Sequence, residues 1–93
     1  MEDMNTTKTW HVDIYIGEHE GQTHAEARLR PGEEVTLTST GTARLNPTDQ
    51  DVPEIGDELA TSRALSELAH RLLNAAAEDI ESITKEPVRH LHG

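Results

Sequence analysis

The stretch Trp10–Leu45, WHVDIYIGEHEGQTHAEARLRPGEEVTLTSTGTARL, decides the fold, because apolar or small residues alternate with polar ones along most of it. Trp10, Val12, Ile14 and Ile16 alternate with His11, Asp13 and Tyr15, the period-2 pattern of a half-buried strand over Trp10–Ile16. Gly17–Gln22 reads as the loop of a hairpin. Thr23, Ala25, Ala27 and Leu29 then hold an inward phase against His24, Glu26, Arg28 and Arg30, and Pro31-Gly32 supplies the next turn. A third strand is expected over about Glu34–Leu45, with Val35, Leu37, Ser39, Gly41, Ala43 and Leu45 inward and Gly41 marking a candidate bulge.

Apolar residues meet across the first hairpin when Ile16 faces Thr23, Ile14 faces Ala25, Val12 faces Ala27 and Trp10 faces Leu29. The second hairpin sets Leu29 against Val35. Both are antiparallel, so the expected sheet is a meander in the order 1-2-3. On the opposite face this register sets Asp13 against Glu26, a mildly destabilising like-charge pair unless Arg28 reaches in.

Beyond the polar connection Asn46-Pro47-Thr48-Asp49, the period changes from two to 3.6. Asp51 and Glu54 have the spacing of a capping box, and Pro53 suits a first helical turn. Ile55, Leu59, Leu65, Leu68, Ala69, Leu72, Leu73, Ala76, Ile80 and Ile83 then fall on one side of a helix that runs from about Pro53 to Lys85 before Pro87. Arg63, Glu67 and Arg71, on the other side, are spaced for i,i+4 ion pairs. The fold class is therefore α+β: a three-stranded antiparallel meander with a long C-terminal helix on one face. Residues 1–9 are expected to be a disordered N-terminus, 10–88 a single domain and 89–93 a flexible tail.

That helix would be about 50 Å long, against about 26 Å for an eight-residue strand. Its apolar stripe also spans half the wheel. Either the helix breaks near Asn74–Asp79 or a second copy covers the excess. We expect a homodimer, with Leu65, Leu68 and Leu72 as the residues of dimer or core, because 93 residues with one Trp, one Tyr and no Phe offer little bulk for an independent core.

Eight Lys and Arg against 18 Asp and Glu give a formal charge of −10. Such a field repels phosphate backbones and anionic lipids, so neither membrane nor free nucleic acid is an expected partner. Met1–Thr9 lacks the apolar segment of a signal peptide, and a cytoplasmic location is the default. With no cysteine there is no thiolate nucleophile or disulfide framework. His19-Glu20 followed by His24 departs from the metalloprotease helix motif, since the second His comes at i+5 and the segment reads as a turn. His11, His19 and His24 could gather as a loose metal site only if one sheet end held all three. Glu67 and His70 have the spacing of di-metal bundles, but only once, and His90 and His92 belong to the tail. No nucleophile with a recognisable base occurs, so no enzyme activity, cofactor or metal is expected. The candidate interaction residues are Arg28, Arg30, Arg44 and Tyr15 on the outward sheet face, with Arg44 set apart from the other two arginines by most of a strand length. There acids interleave with the arginines and only one aromatic is present, a pattern suited to a mixed-charge protein interface more than to an RNA track.

Four segments carry a family resemblance: EHEGQTHAEARL (Glu18–Leu29), GTARLNP (Gly41–Pro47), VPEIGDELATSRALSEL (Val52–Leu68) and DIESITKEPV (Asp79–Val88). Together they resemble, over about residues 8–91, an actinobacterial family of small proteins of unknown function with a double-stranded-RNA-binding-domain-like fold. The resemblance implies that fold, an outline similar to ribosome hibernation factors, and an association of some members with stress or dormancy. It implies no catalytic residues. The expected function is thus a non-enzymatic, dimeric interaction module with an unidentified protein partner, and the alternative is a ribosome- or RNA-associated stress factor.

Overall fold

The computed structural model describes residues 6–44 and 53–84. Three strands, β1 (His11–His19), β2 (Gln22–Arg30) and β3 (Leu37–Arg44), form an antiparallel sheet in the order β1-β2-β3, and one helix, α1 (Pro53–Thr84), packs on one face. The α+β meander is as the period-2 and period-3.6 patterns require. Asp51, the connection Asn46–Asp49, Leu45, Pro87, His90, His92 and the first five residues lie outside the described residues.

The registers differ from expectation by two residues in both hairpins. β1 continues through Gly17 to His19, and the chain reverses over Glu20 and Gly21 alone, whose φ angles of 52° and 75° are those of a two-residue type I′ turn. A turn centred there pairs Val12 with Leu29, Ile14 with Ala27 and Ile16 with Ala25. Because the slip is even, the same residues stay on the same face. Asp13 consequently faces Arg28, and Glu26 faces Tyr15, so the expected Asp13–Glu26 repulsion does not arise. In the second hairpin Leu29 pairs with Leu37, and Val35 belongs to the connection, where the Thr36 N–H donates to the Leu29 carbonyl at 2.9 Å.

α1 is continuous through Asn74–Asp79. Its 32 residues make about 48 Å of helix, so its last third runs beyond a sheet whose strands are eight or nine residues long. The seam facing the sheet is Gly56, Ala60, Ala64 and Leu68, all buried, and not the large apolar set the wheel suggested. The reason lies in the strands beneath. β2 and β3 present Thr23, Ala25, Ala27, Ser39, Gly41 and Ala43, a floor of small side chains that brings the helix backbone close. At Gly41 a β-carbon would lie 2.8 Å from the Arg63 Cβ and closer still to the Ala60 carbonyl oxygen and the Ala64 nitrogen. Gly41 sits in an unbroken ladder opposite Ala25, so it marks this approach and not a bulge. Within the seam the buried Ser39 hydroxyl donates to the Ala64 carbonyl at 2.6 Å. Ala25, Ala27, Leu29, Ala43, Ala60, Ala64 and Leu68 form the core, with Ile14, Leu37 and Leu72 packed around it.

Candidate interaction surfaces

Two surfaces follow from this packing, one on each side of β1. On the open face of the sheet the outward residues of β1 and β2 neutralise one another. Arg30 Nε donates to Asp13 Oδ2 at 2.6 Å, with Nη2 at 3.5 Å from Oδ1. Arg28 Nη2 donates to Glu26 Oε1 at 3.1 Å, and its guanidinium lies 4.3 Å from the centre of the Tyr15 ring, an attractive cation–π distance. The hydrogen bond from Arg30 holds the Asp13 carboxyl below the usual carboxylate range, and the same bond raises Arg30. Glu26 raises Arg28 in the same way. Two cations and two anions thus cancel within one patch.

Of the residues singled out from sequence, Tyr15, Arg28 and Arg30 come together here. Arg44 does not. It faces Gln22, whereas Arg28 faces Thr38, so six residues of β3, about 20 Å, separate Arg44 from the level of Arg28. Of the histidines, His19 pairs with Gln22 and His24 faces Gly17, both near the turn, while His11 faces Arg30 at the opposite end. Among the described residues no three His, Asp or Glu side chains converge as metal ligands. A shallow, open depression of about 530 Å³ beside the patch is lined mainly by Tyr15, Gly17, His24, Glu26, Thr40 and Thr42. No buried titratable group opens into it.

Of the second surface, the sequence named Leu65 and Leu72 on α1 but not the exposed face of β1. Because α1 sits over β2 and β3, the helix-side face of β1 is barely covered: Trp10 is 54%, Val12 39% and Ile16 45% exposed. On the same side of the sheet, one flank of α1 turns toward β1 and the other toward β3. The opposite flank is fixed by Arg63, which reaches the β3 edge and donates to the Thr42 carbonyl at 2.6 Å, and by Glu67, paired with Arg71 at 3.1 Å. The flank toward β1 carries Leu65 and Leu72, one heptad apart. Leu68 is buried in the core and Leu72 packs against it, whereas Leu65 is 43% exposed. Beyond the sheet Ile80 and Ile83 are exposed as well. The signal that would have revealed this surface is the run of small residues in β2, β3 and α1, which shows where the helix can come close.

The chain matches the model of the family described as Rv2632c-like over residues 8–89. It is 55% identical over 83 residues to the uncharacterised protein Mb1767 of Mycobacterium bovis, covering 89% of this chain and 87% of that one. To the uncharacterised protein Rv2632c of Mycobacterium tuberculosis it is 46% identical over 86 residues, covering 91% and 90%. The crystal structure of Rv2632c superposes with a TM-score of 0.80 at 42% identity, covering 91% of this chain and all of that one. Among the described residues no helix is long and apolar enough to cross a membrane.

Proposed function

The chain belongs to the Rv2632c-like family, and for a member built in this way we propose a non-enzymatic protein-interaction module that acts as a homodimer. One observation carries the reading. In a chain of formal charge −10, Val12 and Ile16 on the helix-side face of β1 and Trp10 just before it are exposed to solvent, Leu65 is exposed on α1, and α1 overruns its own sheet. Contiguous apolar surface of this kind on a small soluble domain marks a protein interface, because leaving it in water forgoes about 25 cal/mol for each Å² that a partner would cover. The neutralised patch of Tyr15, Glu26, Arg28 and Arg30 on the other face suits a mixed-charge protein partner.

Static light scattering at micromolar concentration tests the reading. A mass of twice 10.3 kDa is expected, and a sharp 10.3 kDa species with a cooperative melt would overturn it. The same arginines weigh against direct phosphate binding, since each already satisfies a carboxylate. Cosedimentation with ribosomes from stressed cells that weakens with salt and is lost in an Arg28→Glu, Arg30→Glu variant would instead favour the ribosome-linked alternative.

A further inference from the structure

We propose that the second copy docks on the free edge of β1, in antiparallel register about a two-fold axis at Ile14, to make one continuous six-stranded sheet. The inference rests on the homodimer reading above and assigns it a surface.

The phase of the backbone follows from the turn. A two-residue type I′ hairpin closes on a hydrogen-bonded pair, here His19 and Gln22. Counting back in twos, Gly17, Tyr15, Asp13 and His11 turn their N–H and C=O groups toward β2, and Glu18, Ile16, Ile14 and Val12 turn theirs to the free edge. Carried across β2, the same count sends the backbone of Thr38, Thr40 and Thr42 to the outer edge of β3. The bond from Arg63 to the Thr42 carbonyl agrees with that phase.

The two edges are therefore treated differently. At β3 a long cationic side chain from α1 occupies an edge carbonyl, which blunts the edge against pairing. Among the described residues nothing comparable guards β1. Its edge groups belong to Val12, Ile14, Ile16 and Glu18; the first three carry apolar side chains on the helix side, where Val12 and Ile16 are exposed and Ile14 packs on the core. A largely apolar, unguarded edge is a template for strand addition.

Self-complementarity selects the register. With the axis at Ile14, Val12 lies opposite the partner's Ile16 and Ile14 opposite the partner's Ile14, and the outward groups of these residues exchange six backbone hydrogen bonds. On the open face Asp13 meets the partner's Tyr15, and its charge is already held by Arg30. Sliding by two residues one way puts Asp13 on the partner's Asp13; sliding the other way puts Val12 on the partner's Glu18. The Ile14-centred register gives Val12, Ile14 and Ile16 apolar partners and sets no like charges opposite, with Trp10, ahead of the strand, falling against the partner's Glu18. Two chains of −10 still repel at long range, so the dimer should tighten as salt rises toward 0.5 M.

The chain has no cysteine, so a single Ile14→Cys variant reports directly. Paired residues across such an axis lie about 5.5 Å apart at Cα, within reach of a disulfide. Mild oxidation should convert most of the Ile14→Cys protein to a covalent dimer, while Thr40→Cys on the β3 edge stays monomeric on a denaturing gel. An Ile16→Lys variant, altered at a half-exposed position, should keep its circular dichroism spectrum and lose the dimer. If light scattering gives a dimer that Ile16→Lys leaves intact and Ile14→Cys does not cross-link, the edge assignment is wrong and the homodimer reading survives. A monomer by scattering overturns both.

Discussion

Replacing Gly41 by Ala should be among the most damaging single-methyl additions available to this fold. The new β-carbon would lie 2.8 Å from the Arg63 Cβ, where ordinary contact is 3.4–4 Å, and closer still to the Ala60 oxygen and Ala64 nitrogen. Two of the three obstructing atoms are helix backbone, so no rotamer change relieves the clash, and α1 must retreat by about 1 Å. Overpacking a close-packed core costs about 1–3 kcal/mol even where side chains can adjust. Retreat also stretches the 2.6 Å bond from Ser39 to the Ala64 carbonyl, whose buried hydroxyl costs about 1–3 kcal/mol when left unpaired. We expect a loss of about 3 kcal/mol or more, against a total stability of about 5–15 kcal/mol for a small domain. In melting temperature that is roughly 12 °C or more for a chain of this size. Urea unfolding followed by helix circular dichroism measures it, with Gly17→Ala as control because nothing lies within 4 Å of a β-carbon there. A loss below about 1 kcal/mol for Gly41→Ala, or an equal loss in the control, would refute the close approach of α1 to β3.

Ser39→Ala removes the hydroxyl without adding bulk and should cost about 1 kcal/mol, since the Ala64 carbonyl keeps its place in the helix ladder. Leu68→Ala, at a position 4% exposed, should cost about 2–5 kcal/mol in urea titrations at any protein concentration, whereas the effect of Leu65→Ala should be small when the protein is dilute. The Asp13 carboxyl is depressed by Arg30, so its contribution to stability is present above the unfolded carboxylate value near pH 4 and fades as pH falls through the lower folded value. Asp13→Asn should therefore be less stable than the parent at pH 7, and the gap should narrow steadily below about pH 4 in acid-titrated melts.

Strand and helix existence was legible because Val12, Ile14, Ile16 and Ala25, Ala27, Leu29 alternate while Leu65, Leu68 and Leu72 recur at helical spacing. Register was not, because alternation fixes the face of a residue and leaves the slip along the strand to the turn. Glu20-Gly21 is an uncommon type I′ sequence, since it asks a glutamate to adopt positive φ, and matching Ile16 with Thr23 looked just as apolar. The helix face was misread for a different reason. A hydrophobic wheel ranks Ile55, Leu59 and Leu65 above Gly56, Ala60 and Ala64, but the floor of Ala25, Ala27, Ser39 and Gly41 rewards close backbone approach over side-chain size. The patch of Tyr15, Arg28 and Arg30 was visible from outward phase alone, whereas the exclusion of Arg44 needed only the strand length.

Amide hydrogen exchange at Val12, Ile14 and Ile16, measured across a range of protein concentration, tests the role of β1 most directly. In a lone chain these three N–H groups face solvent at a free edge and exchange at nearly the rate of an unstructured peptide, while Asp13 and Tyr15 are held by β2. The dimer predicts that protection at Val12, Ile14 and Ile16 rises with concentration and salt, in step with the mass from light scattering, while Thr40 on the β3 edge is unchanged. Fast exchange at all three positions in a sample that scatters as a dimer would contradict it.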